Sequence, residues 1–350
     1  MEIGVPKEVK PFEGRVGLIP EAVADLVSQG HQIYIETQAG VQSGYEDETY
    51  LQAGAEIVPD AKSLYASARL IVKVKEPIAA EYDYLSSQHL LFSFLHLAAV
   101  PQLTQVLVDK GLTAVAFETV QEGGRLPLLA PMSEVAGRIA VQAATHYLHS
   151  SMGGRGILLG GVAGSERGRV VVLGAGVAGT AAAQLAAQLG AQVTVFDVSH
   201  QRLHEIRRLG ANVTALHPYQ KILNLEIEQA DLLVGAVLVP GAKTPHIVTR
   251  EMVCSMLPGS LIADISVDQG GCIETTRPTS YADPTYVEEG VVHFCVTNMP
   301  GAVPRTSSQA LSAVITPYVS MLAEPNWREN PVLANAVNVA SGKVCLTALQ

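Results

Sequence analysis

The chain has 350 residues, 48% hydrophobic and only 16% charged, which excludes disorder, collagen and coiled coil and supplies about two domains of ~100–200 residues. Aromatics reach just 5%, so the apolar content is Ala, Val, Leu and Ile, the residues of buried parallel strands and packed helices. The formal net charge is −10 and no basic patch stands out, which argues against nucleic acid and anionic membrane surfaces as partners.

The N-terminus, MEIGVPKEVKPFEGR, alternates charged and apolar residues and has no hydrophobic signal core. Strands are expected at 2–5, 32–36, 70–74, 90–95 and 113–118. Between the first two, Ala22, Leu26 and Gln29 mark helical spacing and Gly30 a stop. Such alternation predicts a mainly parallel sheet covered on both faces. Residues 132–151 read as one long helix starting at Ser133, with Glu134 in its first turn. A glycine-rich loop follows at 152–168, with room for one short strand. From Gly168 a second α/β unit is expected, with parallel strands at 169–173, 192–196, 212–216, 232–236, 261–265 and 291–295. A last helix is expected at 307–322; the tail beyond Pro325 carries no clear pattern. No internal repeat or low-complexity tract appears. Residues 170–196 carry no charge and are long enough for a bilayer at ~20 residues, but Gln184, Gln188, Gln192 and the glycines argue against that reading. The cysteines Cys254, Cys272, Cys295 and Cys345 share no short spacing, so reduced cytosolic thiols are expected, with neither disulfides nor a metal site.

The strongest local signal is RVVVLGAGVAGTAAAQLAAQLGAQVTVFD, residues 169–197. An apolar strand runs into a glycine turn, an Ala-rich helix follows, and a second strand ends in Asp197. Gly174 permits the tight turn, Gly176 leaves room for a pyrophosphate, and Gly179 lets helix and sheet approach. The helix N-terminus offers unpaired N–H groups to phosphate. Asp197, roughly 20 residues on, can accept both ribose hydroxyls of NAD. A 2′-phosphate would meet like charge there, although Arg202 nearby could accommodate one.

In the first half, several polar residues sit at expected strand ends: Lys73 and Lys75 in LIVKVKEP, and His96 in LLFSFLHL. Arg15 lies in a loop before the apolar GLIP. Ligands of parallel α/β sheets bind beyond the carboxyl ends of strands. Each residue also has an ordinary reading, a solvated lysine edge or a hydrogen-bonded core histidine. His146/His149 and His200/His204 have helical spacing but no evident third metal ligand.

The segments GVPKEVKPFEGRVGLIP, KVKEP, LFSFLHLA, FETV, LPLLAPMSEVAGR, GGRGILLGGV, ADLLVGAVLVPGAK, DISVDQGGC and NMPGAVPRTS together resemble the alanine dehydrogenase family over nearly the whole chain. The resemblance implies a cytosolic enzyme that uses NAD to interconvert L-alanine and water with pyruvate and ammonium. It also implies two Rossmann-like α/β domains of doubly wound, mainly parallel sheets, with the active site in a cleft, and assembly as a homohexamer. The last helix is then expected to rejoin the first domain, giving 1–128 plus 307–350 as the substrate domain and 129–306 as the NAD-binding domain. The family's positions map onto Arg15 and Lys75 for substrate binding and His96 and Asp268 for catalysis. Around the cofactor they map onto Ser133, Asp197 and Asn298-Met299. The sequence departs from the family at Ala163, where Pro is usual, and at 216–224, which lacks a Ser near the adenosine and offers Pro218 and Tyr219. FEGR stands for a common EFR, and the region after Asn330 looks shortened.

The side chains suit that chemistry. Arg15 can hold a carboxylate bidentately, and Lys75 can hydrogen-bond the pyruvate carbonyl as charge develops. His96 can serve as acid and base near neutral pH. Asp268 could orient ammonium or share proton transfer; the residues leave open which of the two is the principal base. Three rivals remain. The NAD-binding component of transhydrogenase carries an Arg-Gln-Ser-Met-Asp loop where this chain has APMSEVAG. Saccharopine dehydrogenase acts on a larger substrate, and an idle NAD sensor would be expected to have lost Lys75, His96 or Asp268.

Overall fold

The computed structural model describes residues 1–237 and 245–346. The chain forms two compact units, one comprising Met1–Met132 with the segment from Gly301 onward, the other Ser133–Pro300. The first unit holds β1 (Glu2–Val5), β2 (Gln32–Glu36), β3 (Glu56–Val58), β4 (Leu70–Val72), β5 (Leu90–Ser93) and β6 (Thr113–Ala116). The second holds β7 (Arg169–Leu173), β8 (Gln192–Phe196), β9 (Val213–Leu216), β10 (Leu232–Gly235), β11 (Leu261–Asp264), β12 (Thr285–Glu288) and β13 (Val291–Phe294). In the tail, β14 (Val337–Ala340) and β15 (Lys343–Val344) return to the first unit.

The first sheet has the order β15-β14-β6-β5-β4-β1-β2-β3. Every pair from β6 to β3 is parallel, while β14 and β15 add antiparallel at one edge. The second sheet has the order β12-β13-β11-β10-β7-β8-β9, parallel except for β12. Both are doubly wound. The chain runs outward through β1, β2 and β3, then returns beside β1 as β4; likewise β7, β8 and β9 run outward and β10 returns beside β7. Strands such as β4, β5 and β10 are buried along their whole length, which explains their unbroken apolar runs.

The expected strands at 70–74, 90–95 and 113–118 stop sooner, at Val72, Ser93 and Ala116. Just past those points backbone N–H groups leave the ladder for carboxylates: Val74 N–H donates to Glu8 at 2.6 Å and His96 N–H to Glu118 at 2.6 Å. The long helix spans Ala130–Tyr147 rather than opening at Ser133, because Ala130 N–H bonds Leu126 O at 3.0 Å and Pro131 is tolerated in the first turn. The glycine-rich segment forms no strand among the described residues. The last helix, Pro304–Ala323, belongs to the first unit. Its Ser308 and Ser312 hydroxyls accept Val16 N–H at 2.9 Å and Ile19 N–H at 3.1 Å, which fixes the loop carrying Arg15. No helix among the described residues is long and apolar enough to cross a membrane.

Candidate active site

In the first unit the strand order reverses between β1 and β4, and polar side chains collect beyond their carboxyl ends. Glu8 follows β1, Lys73 and Lys75 follow β4, and His96 follows β5. Both lysines lie past the end of β4 at Val72, where the pleat no longer sets their direction, and they meet different surroundings. Lys73 is buried, with Glu81 at 2.6 Å and Glu8 at 3.6 Å. Burial favours its neutral form, but the two carboxylates more than offset this and leave its pKa raised. Lys75 is half-buried, and its pKa is lowered by burial first and then by the charge of Arg15. The structure thus brings Lys75 and Arg15 together electrostatically.

Arg15 is 2% exposed. Glu13 takes one edge of its guanidinium, with Nε 2.6 Å from Oε1 and Nη2 on Oε2, while Nη1 contacts Met132 Sδ at 3.1 Å. Glu13 thus occupies the Nε–Nη2 edge and holds the guanidinium as a fixed cation. His96 lies past the end of β5, in the segment beside that of Lys75, where Phe94 N–H bonds Val74 O at 3.1 Å. Its backbone is left-handed, φ 48°, and its ring stacks on Phe94, which in turn packs edge-on against Phe117. Glu118 accepts the N–H groups of Leu95 and His96 and holds this turn. Neither Glu8 nor Glu118 was singled out from sequence. A carboxylate that collects backbone N–H groups leaves no spacing signal.

In the second unit the switch point lies between β7 and β10. Gly174 turns there with φ 94°, and a Cβ would stand 2.6 Å from Ala236 O. At Gly179 a Cβ would fall 1.8 Å from Gly174 O, whereas at Gly176, the N-cap of the helix Val177–Gln188, nothing lies within 4 Å. Two glycines serve close packing and the third faces open space, a cradle that fits a dinucleotide pyrophosphate. Asp197 directly follows β8 and is 8% exposed. Its Oδ2 accepts Ala175 N–H and its Oδ1 Ser199 N–H, each at 2.7 Å. Arg202 Nη1 lies 3.8 Å from Oδ2 and is exposed. Ser133 stands one turn before Gly137, where a Cβ would come 2.1 Å from Ala178 O. The face of its helix that carries Ser133 thus leads to the start of the nucleotide helix. Asn298 is left-handed at φ 61°, and Tyr281 donates to Met299 O at 2.9 Å. Asp268 sits exposed in the turn Val267–Gln269 after β11.

Two family descriptions cover this chain: "Alanine dehydrogenase/PNT, N-terminal domain" matches residues 4–136 and the corresponding C-terminal domain matches 140–347. The chain belongs to the alanine dehydrogenase/PNT family. It is 48% identical over 355 residues to alanine dehydrogenase of Bacillus subtilis strain 168, covering 100% of this chain and 94% of that one. It is 47% identical to the Methanococcus maripaludis enzyme of the same name, covering 100% and 95%. Among solved structures, an L-alanine dehydrogenase superposes with TM-score 0.96 at 49% identity, covering 100% and 98%. A transhydrogenase from Sinorhizobium meliloti gives TM-score 0.86 at 26% identity, covering 99% and 100%. Family membership accounts for both doubly wound sheets and for the discontinuous first unit. The VPGAK end of one resembling segment lies outside the described residues.

Proposed function

We propose that this chain catalyses the reversible, NAD-dependent oxidative deamination of L-alanine to pyruvate and ammonium. The observation that carries this reading is full-length identity near 48% to alanine dehydrogenases, joined to a nucleotide turn whose Gly176 stays open. We assign substrate handling to the unit containing Arg15, Lys75 and His96, and cofactor binding to the unit containing Gly174, Gly176, Gly179 and Asp197. Ser133, Arg202, Asn298 and Met299 are assigned to the cofactor's surroundings.

Gly174, Gly176, Gly179 and Asp197 would hold NAD, whose nicotinamide would supply the hydride acceptor for the alanine Cα. The protein's own groups do the rest. The Arg15 guanidinium attracts the substrate carboxylate. Lys75 donates to the oxygen that carries growing negative charge. His96 takes a proton from the water that attacks the iminium carbon and returns it in the reverse direction. Asp268 holds the departing or arriving nitrogen and shares the proton traffic. Kinship supports a cytoplasmic enzyme and a homohexamer, whose size light scattering would test.

Initial rates of NADH formation with alanine, serine and glycine, and of NADH loss with pyruvate plus ammonium, test the proposal. Alanine-dependent reduction is expected. Tight NAD binding without any amino-acid-dependent reduction would favour a hydride-passing component like the transhydrogenase.

A further inference from the structure

The turn that carries Asp268 is held from beneath by a carboxylate the proposed mechanism does not use. Asp264, the last residue of β11, is 0% exposed. Its Oδ1 accepts Ser266 N–H at 3.0 Å; its Oδ2 accepts Cys272 N–H at 3.1 Å and lies 2.7 Å from the Thr276 hydroxyl. One carboxylate therefore ties residue 266, before Asp268, to residues 272 and 276, after it. Inside this clasp Gln269 N–H and Gly271 N–H both return to Ser266 O, at 2.9 and 3.1 Å. The neighbouring glycines make room. A Cβ at Gly235 would stand 2.8 Å from Asp264 Oδ1, and one at Gly271 would stand 2.8 Å from Oδ2 and 2.5 Å from Thr276 Oγ1. Burial pushes the Asp264 carboxyl up, while Thr276, Ser266 and Cys272 oppose that by donating to the charged form.

We infer that Asp264 is a positioning residue that fixes the 266–276 loop so that Asp268 faces the reacting nitrogen, with Thr276 as its side-chain partner. The inference rests on the role proposed above for Asp268. Asp264 itself has no exposed surface and touches no substrate. Replacement by Asn sets an amide N–H against Cys272 N–H or, with the amide turned over, against Ser266 N–H, and so turns one attraction into a clash of donors.

The test compares Asp264→Asn, Thr276→Val, Thr276→Ser and Asp268→Asn in the intact enzyme, measuring kcat with alanine, KM, NAD affinity and thermal midpoint. Misplacing a reacting group costs up to ~10²-fold, so Asp264→Asn should lower kcat on the order of that factor while NAD affinity holds. Losing one charge-assisted hydrogen bond in Thr276→Val should cost about tenfold in kcat, and Thr276→Ser should restore it. Folded Asp264→Asn and Thr276→Val enzymes with wild-type kcat, beside a slow Asp268→Asn, would overturn the inference alone. If Asp264→Asn fails to fold, Thr276→Val against Thr276→Ser decides. Wild-type turnover in Asp268→Asn would remove the role of Asp268, and this inference with it.

Discussion

His96 combines a left-handed backbone with an imidazole stacked on Phe94. A non-glycine residue in that region is held at a cost of order 1–3 kcal/mol, which surrounding structure must offset. Here the Glu118 carboxylate supplies it by accepting the N–H groups of Leu95 and His96. Replacing His96 by Ala should lower kcat by ~10²–10⁴-fold, the usual share of one general acid–base group, with NAD affinity unchanged in a binding titration. Lys75 adds a pH signature. Its pKa is lowered by burial and by Arg15, so the ammonium is the form present at lower pH and is lost on the alkaline side sooner than for an ordinary lysine. Pyruvate amination should accordingly fall on its alkaline limb, and Lys75→Arg, charged throughout, should move that limb upward in a rate–pH profile. For stability the sign is opposite: the depressed folded-state pKa is a cost at low pH, relieved as pH rises from that value toward the unfolded ~10.4. At this scale Lys75, His96 and Asp197 were legible as polar residues at strand ends. The grip of Glu13 on Arg15 was not, because a neighbour two residues away competes for the guanidinium only once the loop is folded.

Among the elements one device recurs. Glu8, Glu118, Asp197 and Asp264 each accept backbone N–H groups just past the end of a parallel strand. These are the places where a sheet ladder ends and N–H groups would otherwise be stranded. The device shortens β4 and β5 relative to their apolar runs, and so apolar pattern alone overestimates them. The nucleotide turn was legible in full because each glycine has a distinct steric task. That predicts a contrast between two conservative changes. Gly179→Ala places a methyl against Gly174 O and, as overpacking costing about 1–3 kcal/mol or more, should lower both thermal midpoint and NAD affinity. Gly176→Ala meets nothing in the protein, so calorimetry should find stability intact while NAD affinity falls. Equal loss of stability in both would contradict the assignment of Gly176 to the cofactor.

For the whole molecule, the two-unit plan was visible because a nucleotide motif starting near residue 170 leaves a domain's length of chain before it. Return of the last helix was suggested by topology and implied by the family resemblance, not read from the helix's own residues. The tail was illegible. Its strand β14 is the four-residue VNVA, which gains its meaning only by pairing antiparallel with β6. Asn338 reaches across to Thr119 at 3.0 Å, and Cys345 N–H returns to Asn338 O at 2.8 Å. Ending the chain after Ala323 removes this edge and leaves the side of β6 away from β5 unpaired, a site for aggregation. Such a chain should unfold at lower temperature and aggregate in a light-scattering melt; an unchanged melt would show the tail to be dispensable.

In the proposed reaction hydride passes directly from the alanine Cα to NAD on this chain. Incubating the enzyme with NAD and L-alanine deuterated at Cα, then analysing the reduced cofactor by mass and NMR, tests it most directly. One deuterium at the nicotinamide C4 is expected, together with stoichiometric pyruvate and ammonium. Reduced cofactor without deuterium, or none formed at all, would contradict it.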